Sequence, residues 1–210
     1  MTNINAIRRL SLAMVTALLC ATASQAYDFK REGFYYNITS ETNLEVEVTN
    51  KNDTLNAYKG RELMIPSWVS YNGLSYSVTR IGVLAFAECT KLVNVEIPSS
   101  VTSIGSAAFD MCPNLLWMEI PSSVTSIGSL AFGDCSSLKS VEIPSSLKEI
   151  ELQTFYCCSS LTSVEIPSSV ISIEEEAFYG CTSLTDVYSL NVTPPTCEDN
   201  IFNVSSTKSE

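Results

Sequence analysis

Histidine is absent from all 210 residues. With it go the usual general base near neutral pH, the commonest metal ligand, and every Ser-His or Cys-His nucleophile pair. Basic residues are scarce, 12 Lys and Arg against 23 Asp and Glu. Nucleic acid is therefore excluded as a partner, because a phosphate backbone demands a Lys/Arg footprint. Beyond the first turns of chain no apolar run approaches the roughly 18 residues that a membrane-spanning helix needs. The one apolar run, Leu10 to Cys20, follows Arg8 and Arg9 and ends in small residues at Ser24, Gln25 and Ala26. That is the pattern of a cleavable secretory signal over 1–26, with Tyr27 as the first mature residue. Acylation at Cys20 is the weaker alternative, since Leu19 stands where a small residue is preferred.

What the chain does have is a beat. Cys89, Cys112, Cys135, Cys158 and Cys181 recur every 23 residues. Phe86, Phe109, Phe132, Phe155 and Phe178 precede them by three, and Leu92, Leu115, Leu138, Leu161 and Leu184 follow by three. The text EIPSS returns at Glu96, Glu119, Glu142 and Glu165, each time followed by Val or Leu and then Ile. A fixed period in this range is the signature of one supersecondary unit stacked on itself. Within a unit, Leu161-Thr-Ser-Val164-Glu-Ile166 alternates as a short strand and Pro167 ends it. Val170 to Ile173 alternates again as a second strand. Glu174 to Tyr179 leaves room for one helical or 3₁₀ turn that inserts Phe178 inward.

The expected fold is thus a β-rich solenoid of 23-residue units, with short strands and short helical or 3₁₀ turns. Residues 27–77 are expected to form an N-terminal β cap, because Gly33 to Ile38 and Leu44 to Thr49 alternate as a hairpin and Asn72-Gly73 sits between alternating apolar residues as a two-residue turn. About five units fill 78–188. Residues 189–210 are read as a C-terminal cap or an incomplete repeat, since Pro194-Pro195 breaks the frame and Phe202 falls one residue late. Stacked units present surfaces for partners more readily than clefts for chemistry.

These residues resemble the BspA-like leucine-rich repeat family of bacterial surface proteins. The resemblance rests on the frame Ala-Phe-x-x-Cys to Leu to Val-x-Ile-Pro-x-Ser-Val-x-x-Ile-Gly, and on the flanking Tyr27-Asp28-Phe29, Phe34 to Ile38, Tyr71-Asn72-Gly73 and Pro194 to Cys197. It implies a leucine-rich repeat array, a secreted or cell-surface location and adhesion to host or bacterial partners, with no catalytic residues to carry over. Glu151 and Glu174 replace the Gly of Gly105 and Gly128, and Thr154 replaces the Ala before Phe, which reads as local drift.

Three sets of side chains are candidates for chemistry or binding. The five periodic cysteines are expected to form an inward core ladder of inert thiols, since burial in apolar surroundings raises a thiol pKa. Parallel Cβ vectors in successive rungs argue against disulfides along that column, and a linear ladder does not gather the four ligands of structural zinc. The redox state of Cys157 and Cys197 stays open. Glu96, Glu119, Glu142 and Glu165 alternate outward and form a carboxylate ridge at one-rung spacing, suited to a basic protein partner or, less well, to calcium. The alternative is a solvated edge copied with the repeat. Trp117 stands where neighbouring units carry Asn94, Ser140 and Ser163, and is either an exposed anchor or local packing. The expectation is a non-enzymatic, cofactor-free, exported scaffold whose strand face binds a host or bacterial surface protein. A structural envelope element without a ligand, and a carbohydrate-binding module using Trp117 and the N-terminal tyrosines, are the alternatives.

Overall fold

Each 23-residue frame makes one rung with three sides, two built of strand and one of turns. The computed structural model describes residues 27–50 and 58–202. The expected leader at 1–26, residues 51–57 of the expected cap and the tail at 203–210 lie outside them. The strands in chain order are β1 (Phe29–Arg31), β2 (Phe34–Ser40), β3 (Glu45–Thr49), β4 (Glu62–Met64), β5 (Trp68–Tyr71), β6 (Leu74–Ile81), β7 (Asn94–Glu96), β8 (Ser103–Ile104), β9 (Trp117–Glu119), β10 (Ser126–Ile127), β11 (Glu149–Ile150), β12 (Ser163–Ile166), β13 (Ser172–Ile173), β14 (Asp186–Ser189) and β15 (Thr196–Cys197).

The strands stack as two parallel ladders. The first runs β4-β7-β9, then resumes through a single bridge from Ser140 to Ser163 and the pair β12-β14. The second runs β3-β6-β8-β10 and resumes as β11-β13-β15. Before the repeats, β1, β2 and β3 pair antiparallel, and β5 and β6 form a hairpin. Asn72 and Gly73, with φ of 48° and 78°, supply the two left-handed residues that such a turn requires. β3 then lies parallel to β6, setting Val46 against Val78, so that it serves as the rung before the first.

The third side differs from expectation. No helix occurs among the described residues; where a helical or 3₁₀ turn was expected, each rung instead places two left-handed residues four positions apart. Leu84 and Glu88, Ala107 and Met111, Leu130 and Asp134, and Gln153 and Cys157 all have φ between 52° and 59°. Each left-handed residue that is not glycine costs roughly 1 kcal/mol. Along this side every second amide leaves its own rung for the next. Leu84, Phe86 and Glu88 donate to the carbonyls of Ser106, Ala108 and Asp110, while Ala85, Ala87 and Cys89 donate back three residues within the rung. The same alternation repeats upward, through Phe132 to Thr154 at 2.9 Å and Phe155 to Ala177 at 2.8 Å. A true helix would keep these donors to itself.

Inside, one side chain type stacks per column. The phenylalanines form a continuous pile from Phe86 to Phe178, with ring centroids 5.3 to 5.7 Å apart and planes within 13°. Phe202, expected to fall outside the frame, lies 5.7 Å above Phe178 and continues the pile. Cys197 pairs with Ile173 and Thr196 with Ser172, an offset of 24, so the extra residue lies in the loop ahead of β15 that contains Pro194 and Pro195. Glycine at 105 and 128 is a matter of approach. A Cβ on either would come within 2.7 Å of the backbone of the preceding rung, at Val83 N and Ser106 N.

Candidate binding face

β4, β7, β9 and β12 alternate, with Leu63, Val95, Met118 and Val164 pointing inward and the residues between them turned outward, whereas all four residues of β14 are exposed. The outward residues make two columns. One reads Glu62, Asn94, Trp117 and then, across the interruption, Ser140, Ser163 and Asp186. The other reads Met64, Glu96 and Glu119, then Glu165 and Tyr188, with Glu142 between them in sequence frame. All four ridge glutamates are exposed. Trp117 is 50% exposed, and Leu116 beside it 44%. Parallel strands stand about 4.8 Å apart, so like charges are held in file by the backbone, with no freedom to separate.

The face is not uniform. Val141, Glu142 and Ile143 belong to no strand, and the rung below is tied to theirs by the Lys139 amide on the Leu116 carbonyl at 3.4 Å. Here the wall opens into a groove of about 650 Å³ whose walls include Glu119, Ser140, Glu142, Glu165, Tyr188 and Leu190. Three ridge carboxylates and one aromatic ring thus share a concavity, and Tyr188 and Leu190 are 58% and 54% exposed. Sequence alternation places the ridge; the groove and the part of Tyr188 are not visible in it, since Tyr188 appears there only as the strand of a decaying repeat.

The second ladder opens at the same level. β10 and β11 do not pair with each other, and the rung that starts the new segment is the one where Glu151 replaces the glycine of the two rungs below. The position read as drift collects charge: a hydrogen bond with Glu149 is the first cause raising the Glu174 pKa, and burial, then Glu149, raise that of Glu151. Gln153 Nε2 donates to Glu176 Oε2 at 2.7 Å on the same flank. This acidic flank was missed because a Gly-to-Glu change within one unit says nothing until the units are stacked.

The periodic cysteines are buried, 0% exposed from Cys89 to Cys158 and 8% at Cys181. They are more than apolar filler. The thiols of Cys112, Cys135, Cys158 and Cys181 donate to the carbonyls of Phe86, Phe109, Phe132 and Phe155 in the rung below, at 3.2 to 3.3 Å. Burial pushes Cys181 up to about 12 and Cys135 and Cys158 well above an ordinary thiol, so no thiolate forms in this column at physiological pH. Cys197 is exposed and Cys157 half-buried. Among the described residues no group of three or more Cys, Asp or Glu converges as a metal site.

The N-terminal tyrosines are engaged in packing. Tyr36 and Tyr76 are buried, Tyr71 stacks on Phe29 at 4.1 Å with planes 5° apart, and Tyr35 meets Tyr27 edge-on under the Lys30 ammonium. Tyr71 also borders a shallow groove of about 520 Å³ with Asp28, Ser40, Glu41 and Asn72.

Strand ladders on two sides, a hydrogen-bonded turn wall on the third and one residue type per interior column define a leucine-rich repeat solenoid, with an open face instead of an enclosed cleft. The pattern described as the BspA type leucine rich repeat region, six copies, matches residues 69–185 and 102–209. The chain belongs to that family. It is similar to a leucine-rich repeat protein from Bacteroides ovatus, with 37% identity, a TM-score of 0.68, and 77% of this chain aligned to 41% of that one. A T. pallidum leucine rich repeat protein aligns at 27% identity and a TM-score of 0.64, over 80% of this chain and 85% of its own. A leucine rich cell surface protein from Faecalibacterium prausnitzii, at 23% identity and a TM-score of 0.53 over 80% and 55%, shares the fold. The chain therefore spans under half the length of its B. ovatus relative. A comparison with curated proteins returned no match. Among the described residues no helix is long and apolar enough to cross a membrane.

Proposed function

We propose that the protein is an exported, non-enzymatic scaffold that binds a basic segment of another protein on its first strand ladder, at a bacterial surface. One observation carries this reading: carboxylates from three successive rungs, Glu119, Glu142 and Glu165, line a groove of about 650 Å³ with an exposed Tyr188 at one wall. Charges fixed in file favour a Lys/Arg partner over water and small ions, because the repulsion between them is relieved on binding. Glu96 extends the same file and Trp117 flanks it as a hydrophobic anchor, the residue type that interfaces favour. Membership of a leucine-rich repeat family supports interaction as the purpose of the array. The leader read at 1–26, and a relative described as a cell surface protein, support export. In this reading 27–77 caps the array, 78–188 carries the binding wall and 189–210 closes it.

Saturable binding of the mature chain to surface or matrix proteins, measured by interferometry, tests the reading. Charge reversal at Glu119→Lys is expected to weaken binding at least tenfold, with a smaller loss for Trp117→Ala. Binding to glycans that survives charge reversal would transfer the function to the Tyr71 groove, and no saturable binding to any surface fraction would leave a purely structural role.

A further inference from the structure

One residue on the turn wall breaks the apolar logic of its column. Asp110 occupies the place held by Ala87 in the rung below and Gly133 in the rung above, and it is 5% exposed. Its Oδ1 has no hydrogen-bond partner. Buried polar atoms are nearly always paired, so an orphan carboxyl oxygen calls for an account. Gly133 explains how the carboxyl fits: a Cβ there would lie 2.6 Å from Asp110 Oδ1, so the missing side chain is the space the acid fills. The charged groups that act on it are Asp134 above and Glu88 below, both acidic, with the Met111 amide in opposition. The buried thiols of Cys112 and Cys135 lie within its electrostatic reach, and no Lys or Arg figures among these influences. A metal is not the counter-ion, since no set of ligands converges there among the described residues.

We propose that Asp110, seated in the void left by Gly133, is a proton-binding site of the array, which makes this junction tightest when the carboxyl is neutral and loosens it when the carboxyl ionises. Burial, then the neighbouring Asp134, hold the carboxyl up at about 7. In the unfolded chain the same group loses its proton near pH 4. The folded state therefore binds the proton more tightly than the unfolded state. The stability this provides is complete below about pH 4, and is lost as pH rises toward 7. An acidic setting stiffens the wall at this junction; a neutral one forces a charge into it, beside two others of the same sign.

A carbon-13 titration of the aspartate carboxyls by NMR reads the site directly in the intact chain. One resonance is expected to titrate near pH 7 and to vanish in Asp110→Asn; a chain in which every aspartate titrates in the ordinary range overturns the proposal. Denaturation between pH 4 and 8 supplies the second reading. The unfolding equilibrium of the native sequence should rise roughly several hundredfold more across that window than that of Asp110→Asn, and parallel profiles sink the idea. Gly133→Ala, by filling the void, should push the carboxyl toward water and return its titration to the ordinary range; an unchanged midpoint refutes the role of Gly133. The wild-type titration decides the matter even where a variant fails to fold.

Discussion

The turn wall and the strand face of this solenoid are built from the same 23 residues, yet one is continuous and the other is not. Between the rungs of Phe132 and Phe155 the rings keep a 5.4 Å stack and the turn amides keep bonds of 2.7 to 3.0 Å, while both strand ladders lapse. The wall with the strained backbone is the one that holds register, because each flipped peptide has a partner in the next rung and nowhere else. The strand face, freed from that duty, carries the variation: Asn94, Trp117, Ser140 and Ser163 occupy one column, whereas the phenylalanine column admits no substitute. Cohesion and recognition are divided between sides of one unit.

That contrast can be broken most forcefully at the centre of the pile. Phe132→Ala should cost about 3 to 5 kcal/mol in chemical denaturation, since it opens a cavity between two stacked rings. A next test sits where the rungs approach most closely. Gly105→Ala puts a Cβ against Val83 N and should cost roughly 1 to 3 kcal/mol. Glu151→Gly should do the reverse, slowing amide hydrogen exchange at residue 151 as the second ladder closes over Ile127. Smaller again is Cys158→Ala, which removes the thiol donor from a Phe132 carbonyl that keeps the Cys135 amide, and should lose about 0.5 kcal/mol more than its buried volume alone would predict. Smallest of all on stability are Trp117→Ala and Glu119→Lys, expected within about 0.5 kcal/mol of the native chain by thermal melting, although both weaken partner binding. A face variant that unfolds the array would erase the division between the two sides.

Much of the interior was legible because a strict period fixes phase: Phe, Cys, Leu, Val and Ile each fall in a column whose sense, inward or outward, follows from alternation. The turn wall was not. Left-handed residues announce themselves as Gly or Asn, and here they are Leu84, Glu88, Ala107, Met111, Leu130 and Asp134, residues that read equally well as a helical turn. Tertiary bonding overrode local preference. The serines of EIPSS also tie rung to rung, since the Ser100 and Ser123 hydroxyls each donate at 2.7 Å to the carbonyls of Val78 and Val101. The ridge was readable as a column of glutamates, but the groove was not, since it arises where ladder pairing fails between units whose strand text is nearly the same. Asp110 escaped for a related reason: its burial depends on a glycine 23 positions later.

The flipped amides of the turn wall all point one way, from Leu84 toward Ser106 and from Phe155 toward Ala177. The column therefore has a direction, donors facing one end and acceptors the other, like bricks with tongue and groove. A whole unit added or deleted in frame keeps that direction, whereas two such columns laid head to head would set like groups against like.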